Sequence, residues 1–150
     1  MIRKINRFDY DTLCEFMIKF ANESGIKIYD RENYNYEYAR NLLLRCEKTG
    51  ICLVSEDQGK ITGTILSMRV QDIWVPDVIR LRELAWWVQP EYRSTTVGAR
   101  LFAEYRRQAQ QMLDEKKITG YTITKLSTSP DFDYERRGFK FIEATYMIGD

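Results

Sequence analysis

Histidine is absent from this chain of 150 residues. Without an imidazole, the chain cannot build a Ser-His or Cys-His catalytic site, and it also lacks the commonest ligand of zinc. Any acid–base chemistry must therefore depend on carboxylates, tyrosine, lysine or water.

Cysteine is scarce as well, with Cys14, Cys46 and Cys52 as its three occurrences. An odd number without CxxC spacing predicts neither a disulfide framework nor a zinc site, so we expect no metal. Cys14 and Cys46 fall on the apolar faces of predicted helices. We therefore expect buried structural thiols.

Excess charge and long apolar runs are also missing. Lys and Arg total 23 against 22 Asp and Glu, a formal net charge of +1, which gives no electrostatic footprint for a nucleic acid. No apolar run is long enough to span a membrane, and the N-terminus lacks the apolar region of a signal peptide. We expect a cytoplasmic protein without nucleic-acid or membrane partners.

Hydrophobic residues make up 44% of the chain, which suits one globular domain over residues 1–150. Apolar periodicity predicts three helices, one from near Asp9 to Ser24, one ended by Gly50 and one beginning near Val97. Strands are predicted at residues 2–5, 51–55, 61–68, 78–88, 121–126 and 139–148, with a polar connector and a short helix at 127–137. This order predicts a mixed α/β fold (α+β), with the third helix crossing over to a parallel strand.

The entrance to the third helix combines a strand end with a polar turn. The first free N–H groups of a helix and the positive end of its dipole attract anions such as pyrophosphate. Arg93 adds charge, Ser94, Thr95 and Thr96 add hydroxyl groups, and Gly98-Ala99 allows a close approach. The alternative is that the hydroxyl residues are ordinary helix caps.

Two motifs resemble those of the GNAT superfamily of acyl-CoA N-acyltransferases. Val88-Gln-Pro-Glu-Tyr-Arg93-Ser-Thr-Thr-Val-Gly98-Ala-Arg-Leu101 is similar to the acetyl-CoA motif of that family. Tyr134-Glu-Arg-Arg-Gly138-Phe139 resembles its second signature. The resemblance implies a mostly antiparallel central sheet, splayed at a parallel strand pair, with helices on both faces. It also implies acetyl-CoA as cosubstrate and transfer of the acetyl group to a primary amine.

Two positions depart from the family pattern. Thr96 stands where the motif has its central glycine, and a β-branched residue rarely adopts positive φ. The loop must be shaped differently if that glycine uses such a conformation. Ser127 stands where the family often has asparagine beside the pantetheine arm.

The resemblance also assigns the chemistry. It places Tyr134 beside the cofactor sulfur as general acid, and Glu83 facing the acceptor amine as general base. Strand alternation predicts that Glu83 shares a face with Ala85 and Trp87, where partial burial would raise the pKa of its carboxyl group. The alternatives are a packing role for Tyr134 and an ion pair of Glu83 with Arg80 or Arg82.

The remaining assignments follow from the same resemblance. The predicted contacts to the cofactor are Trp86, Trp87, Val88, Arg93, Ser94, Thr95, Thr96, Val97, Gly98, Ala99 and Ser127. The predicted contacts to the acceptor, a small-molecule or protein amine, are Tyr29, Tyr34 and Tyr36, whose rings suit a cation. The alternative is that this segment is a solvated loop whose aromatic rings only pack. The alternative function is a non-catalytic CoA-binding or structural protein on the same fold, and a homodimer stays open.

Overall fold

The computed structural model describes residues 1–27, 32 and 34–149, which form five strands, three α-helices and short 3₁₀ turns. In chain order the elements are β1 (Ile2–Lys4), α1 (Tyr10–Glu23), α2 (Tyr36–Thr49), β2 (Cys52–Asp57), β3 (Lys60–Gln71), β4 (Ile79–Val88), α3 (Val97–Asp114) and β5 (Gly120–Thr122). Among these described residues, no helix is long and apolar enough to cross a membrane.

The strands form one sheet in the order β1-β2-β3-β4-β5. The first three neighbouring pairs are antiparallel, whereas β4 and β5 are parallel. A parallel pair needs a long crossover, and α3 provides it. The predicted mixed α/β fold with its splayed parallel pair is confirmed.

Helices cover both faces of this sheet. Leu13, Phe16 and Leu43 of α1 and α2 belong to one buried cluster, which includes the inward side chains of β2 and β4. Leu101 and Tyr105 of α3 belong to a second cluster on the opposite face. The apolar faces that periodicity predicts for the three helices therefore pack against the two faces of the sheet.

The boundaries of α2 have local causes in the sequence. Asn35 caps the first turn, because its side-chain oxygen accepts the N–H of Tyr38 at 2.9 Å. Gly50 ends the helix where the chain passes β3: a Cβ at that position would lie 2.0 Å from the carbonyl oxygen of Ser67. Only glycine allows the two backbones to approach so closely.

A β-bulge interrupts β4 next to the predicted site. Leu66 of β3 pairs with Ala85, and the next residue, Ser67, pairs with Glu83. Leu84 is therefore an extra residue without a partner on β3. A bulge of this kind shifts the alternation of side chains by one position.

Because of this shift, the predicted common face of Glu83, Ala85 and Trp87 is wrong. Ala85 and Trp87 pack in the core beneath α1 and α2. Leu81, two residues before Glu83, packs in the cluster beneath α3. The Glu83 carboxylate lies on this α3 side, where it acts electrostatically on Tyr105.

The C-terminal part of the chain also differs from prediction. The last strand was expected at residues 139–148, but this stretch is not a strand, because it pairs with none of the described strands. Residues 140–149 are all exposed. β5 is shorter than predicted as well, and ends at Thr122.

Candidate active site

The candidate site begins where β4 and β5 separate. Arg80, Leu81 and Arg82 of β4 pair with Gly120, Tyr121 and Thr122 of β5. β4 then continues to Val88, and on this side it has no strand partner in the described chain. Beyond Arg82, the main-chain groups of β4 that point away from β3 have no strand partner and could pair with an extended amide ligand, apart from the Val88 carbonyl, which accepts Arg93 Nε.

Glu83 spans the gap directly above the last paired residues. Glu83 is only 4% exposed, and its Oε2 accepts the N–H of Thr124 at 3.0 Å. Burial raises the pKa of its carboxyl group from 4.5 to about 7, although the Thr124 N–H and the charge of Arg82 oppose this shift. The carboxylate is thus held in place and titrates near neutrality.

The ion pair considered for Glu83 is not formed with any described residue. Arg80 pairs with Asp72 in the loop before β4. Arg82 acts on Glu83 only through its charge at longer range. Oε1 of Glu83 makes no hydrogen bond within the described chain and stays open to a ligand.

Tyr134 lies within electrostatic range of Glu83. It precedes the 3₁₀ turn Glu135–Arg137, and Gly138 follows with φ of 91°, a left-handed conformation that suits glycine. The N–H of Phe139 donates to the Tyr134 carbonyl at 3.1 Å and closes the turn. Burial, and then the Glu83 carboxylate, raise the pKa of the Tyr134 phenol. The two predicted catalytic residues thus interact electrostatically, and no hydrogen bond joins them in the described part of the chain.

An aromatic cluster encloses the α3 side of the gap. Trp86 of β4 stacks on Phe102 of α3 with ring centroids 5.0 Å apart, and Phe132 contacts both rings edge-on. Tyr134 packs against Phe132 at 4.9 Å and against Phe139 at 6.2 Å. The sequence analysis did not predict Phe102, Phe132 or the N–H of Thr124 as parts of the site. For Phe132, an indication in the sequence was its position two residues before Tyr134, the first residue of the second motif.

The loop at the entrance of α3 has an ordinary backbone despite its threonine. Thr96 has φ of −81° and ψ of 0°, so the position does not require glycine. Thr95 Oγ1 accepts the N–H of Val97 at 3.3 Å. The N–H groups of Thr96, Gly98 and Ala99 have no partner in the described part of the chain, as expected at a helix start.

Arg93 has a different surrounding from the one predicted. Its Nε donates to the Val88 carbonyl at 2.9 Å, and its NH2 group pairs with Glu23 at the end of α1 at 2.7 Å. The guanidinium also lies 5.6 Å from the centre of the Trp87 ring. Arg93 thus ties the loop to α1, and its charge is already partly balanced.

The other predicted site residues lie outside the gap between β4 and β5 or outside the described residues. Ser127 is in an exposed turn after β5. Tyr34 donates to the Cys14 carbonyl at 3.2 Å and Tyr36 donates to Glu15 at 2.6 Å, so both phenols contact α1. Tyr29 lies outside the described residues.

A model of the acetyltransferase (GNAT) family matches residues 12–139 of this sequence. This chain belongs to the GNAT acetyltransferase family. The match contains the β4–α3 loop and the turn of Tyr134, so both motifs that carried the resemblance lie inside it. No curated protein sequence matches this GNAT chain.

Solved structures share the GNAT fold over almost the full length. A possible acetyltransferase from Clostridium difficile 630 is 18% identical, with a TM-score of 0.69 over 100% of this chain and 96% of its own. A predicted acetyltransferase with acetyl-CoA from Clostridium acetobutylicum is 12% identical, with a TM-score of 0.69 over 99% and 95%. Ribosomal-protein-alanine N-acetyltransferase from Brucella melitensis biovar Abortus 2308 is 11% identical, with a TM-score of 0.62 over 99% and 98%. At such identities the likeness concerns the fold.

The burial of Glu83 predicts a pH-dependent stability. A carboxyl group whose pKa is raised by folding stabilises the fold fully below its unfolded value, 4.5, and this contribution is lost as the pH rises through about 7. Glu83→Gln keeps an acceptor for Thr124 but cannot ionise. As the pH rises from 4.5 to 8, the wild type should lose stability that the variant keeps. The difference in free energy of unfolding should therefore shift in favour of Glu83→Gln by up to about 3 kcal/mol.

Urea denaturation across this pH range measures the effect. Glu37→Gln changes an exposed carboxylate in the first turn of α2 and serves as control. Its difference from wild type should stay within about 0.5 kcal/mol at every pH. Parallel curves for wild type and Glu83→Gln would show that Glu83 ionises as an ordinary carboxyl group.

Proposed function

We propose that this GNAT protein is an acetyl-CoA-dependent N-acetyltransferase in which a primary amine attacks the thioester directly. One observation carries the proposal. Glu83, which bonds to Thr124 across the gap between β4 and β5, acts electrostatically on the phenol of Tyr134, and the α3 entrance after β4 has free N–H groups. A base, an acid and an anion site would thus adjoin the same slot.

The described residues fit acetyl-CoA at both ends of this slot. The main chain of β4 at Trp86, Trp87 and Val88 would pair with the pantetheine arm on the side that faces away from β3, where no strand of the described chain pairs with it. The N–H groups of Thr96, Gly98 and Ala99 would bind the pyrophosphate. The buried indole N–H of Trp86 lies next to Gly98 without an acceptor in the described chain, so hydrogen-bond donors are in excess at this loop.

The proposed reaction uses one proton acceptor and one proton donor. The amine nitrogen bonds to the thioester carbonyl carbon while its proton passes to Glu83, through free Oε1 or a water held there. The carbon–sulfur bond then breaks, and the sulfur takes the proton of the Tyr134 hydroxyl. Glu83 returns its proton to Tyr134 through solvent, which closes the cycle. A base with a pKa near the working pH is the most effective kind.

The acceptor would enter between the segment of Tyr34 and Tyr36 and the loop at residues 72–78. Asp72 stiffens this loop, because its Oδ1 accepts the N–H groups of Trp74 and Val75 at 2.8 and 3.0 Å. The aromatic rings nearby suit a cationic amine. Both a small molecule and a protein amine fit these features.

The burial of Glu83 also favours a second candidate, a CoA-binding protein without turnover. A residue 4% exposed that bonds to Thr124 holds the two strands in place whether or not it accepts a proton. The two functions differ in whether Glu83 controls a rate. Binding of acetyl-CoA alone supports both.

An acidic residue in the loop should weaken cofactor binding without harming the fold. Thr96→Asp places a carboxylate at the N-cap of α3, where aspartate suits the helix but repels pyrophosphate. We expect at least a tenfold weaker affinity for acetyl-CoA in calorimetry, about 1.4 kcal/mol, with an unchanged or higher Tm.

Asn35→Asp is the matched control, since it adds the same charge at the N-cap of α2. It should bind acetyl-CoA like the wild type. If Thr96→Asp and Asn35→Asp bind equally well, the pyrophosphate does not lie at this loop.

The phenol of Tyr134 should matter for turnover more than for binding. Tyr134→Phe keeps the ring contacts with Phe132 and Phe139 and removes the hydroxyl group alone. We expect kcat to fall by roughly 10²- to 10⁴-fold with little change in the affinity for acetyl-CoA. Thiol release with the best amine from a panel of small amines and lysine peptides gives the rate.

Tyr121→Phe provides the control for this measurement. Tyr121 also contacts Phe139, but it has no part in the proposed proton transfers. Its kcat should stay within about twofold of wild type. Wild-type turnover in Tyr134→Phe would mean that solvent protonates the leaving sulfur.

The base role of Glu83 predicts a particular pH profile. In the wild type, kcat/KM should rise with pH through an apparent pKa near 7, the value that burial gives Glu83. Glu83→Gln should lose this limb and retain about 1% or less of the activity at pH 7. The loss should shrink at high pH, where the amine is already neutral.

The profile also separates the two candidate functions. If Glu83 has only a structural role, Glu83→Gln should change the stability of the protein but leave the shape of the kcat/KM profile against pH unchanged. That result would mean that water accepts the proton, or that the amine arrives already neutral and needs no carboxylate to deprotonate it.

A further inference from the structure

The turn between β3 and β4 displays apolar side chains to solvent. Ile73 and Trp74 are each 85% exposed, and Val75 is 50% exposed. Single apolar residues are common on protein surfaces, whereas neighbouring ones mark a surface that binds something. Tryptophan is also among the residues that contribute most to binding energy at interfaces. These three residues, called the apolar turn below, are therefore a candidate docking surface.

Hydrogen bonds hold the apolar turn in one shape. Besides the two N–H groups that Asp72 Oδ1 accepts, the N–H of Asp72 donates to the Val78 carbonyl at 2.9 Å. The N–H of Val78 donates to the Val75 carbonyl at 3.0 Å, and Gln71 Nε2 donates to the Pro76 carbonyl at 2.8 Å. A surface that is ordered in advance loses less conformational entropy on binding. The fixed display of apolar groups thus favours a specific partner.

A strip of positive charge leads from this turn along β4 to the gap. Arg80 pairs with Asp72 of the turn, and Arg82 follows on the same face because side chains alternate along a strand. Arg82 lies opposite Met68 of β3, which packs against the cluster beneath α1 and α2. The guanidinium of Arg82 is exposed and forms no hydrogen bond or ion pair with a described residue. The strip therefore carries one unbalanced positive charge directly before the gap.

The length of this strip decides what kind of ligand could use both of its ends. Glu83 lies four residues after Ile79, the first residue of β4, which is about 13 Å along an extended strand. The apolar turn lies beyond Ile79 and is farther away still. A small amine held at the gap cannot also contact Trp74. A polypeptide spans the distance with about four or more extended residues.

We propose that the acceptor is an acidic polypeptide whose amine enters the gap, whose carboxylate pairs with Arg82 and whose apolar side chain rests on the apolar turn. Because Arg82 adjoins Glu83, the acidic residue lies within about two positions of the amine, and the apolar residue lies at least about four positions away. The proposal rests on the proposed acetyl transfer for the role of the amine. Docking requires no turnover, so binding alone can test it.

The test titrates fluorescent peptides with the full chain in the presence of CoA and follows anisotropy. The probe is a peptide of about ten residues with one lysine, an adjacent aspartate, and a leucine about five positions away, in a background of glycine and serine. It is made with the leucine on either side of the lysine, and the tighter binder is the parent peptide. The wild type should bind the parent at least about tenfold more tightly than peptides with asparagine for aspartate or serine for leucine.

Variants of the chain locate the two contacts. Trp74→Ala should weaken binding of the parent by about tenfold or more, but should hardly affect the peptide that has serine for leucine, because that peptide has no contact left to lose. Arg82→Gln should behave in the same way towards the peptide with asparagine. Phe8→Ala is the matched control, since Phe8 is 80% exposed and lies outside the turn, before α1. It should bind the parent like the wild type, and Trp74→Ala should retain the wild-type affinity for acetyl-CoA.

Each result separates the docking surface from the reaction. Equal affinity for all peptides, or a Trp74→Ala variant that binds the parent like Phe8→Ala, would overturn the proposal even if small amines are acetylated. Self-association of the wild type that disappears in Trp74→Ala would also overturn it, by assigning the turn to a second copy. Faster acetylation of the parent than of the other peptides would support both the surface and the reaction. Binding that depends on Trp74, without acetylation of any amine, would support the surface and contradict the acetyltransferase function.

Discussion

The parallel strands β4 and β5 stay paired for three residues and then separate, and the Glu83 carboxylate crosses the gap to the N–H of Thr124. A parallel pair that diverges leaves main-chain groups without partners, and these groups must find a ligand, a side chain or water. Glu83 supplies one such partner from within the chain. The slot and the hydrogen bond that crosses it from Glu83 both follow from this separation.

The bulge at Leu84 determines which chemistry the gap can have. Without it, Glu83 would point into the core beneath α1 and α2, next to Ala85 and Trp87. With it, Glu83 lies on the side of α3, close to Tyr105 and Tyr134. Burial among aromatic rings then raises the pKa of the carboxyl group to about 7. One extra residue in a strand thus moves this carboxylate from one face of the sheet to the other.

The loop at the α3 entrance and the C-terminal segment show two ways of treating unpaired backbone. At the loop, Arg93 holds the chain against Glu23 and the Val88 carbonyl, so that the first N–H groups of α3 are displayed in a fixed position. Thr96 is compatible with this shape because its φ is negative. At the C-terminal segment, residues 140–149, no backbone group bonds to another backbone group of the described chain.

The sequence alone determined the order of the elements as far as β5, the apolar faces of the helices and the position of the loop that joins β4 to α3. These features depend on local periods and caps: apolar residues three to four apart, Asn35 before α2, and a strand that runs into Val97 through a polar turn. It also indicated Glu83 and Tyr134, through motifs whose spacing is local. Such signals can be recognised without knowledge of any contact between residues that are far apart in the sequence.

Tertiary structure decided what local patterns could not contain. The face of Glu83 depends on a bulge that is defined only by its pairing with β3, and strand alternation therefore gave the wrong neighbours. The role of Arg93 depends on Glu23, which is 70 positions away in sequence. Residues 139–148 have the composition of a strand, but a strand exists only where another strand pairs with it. Which edge is free, and what lies across it, is a property of the assembled sheet.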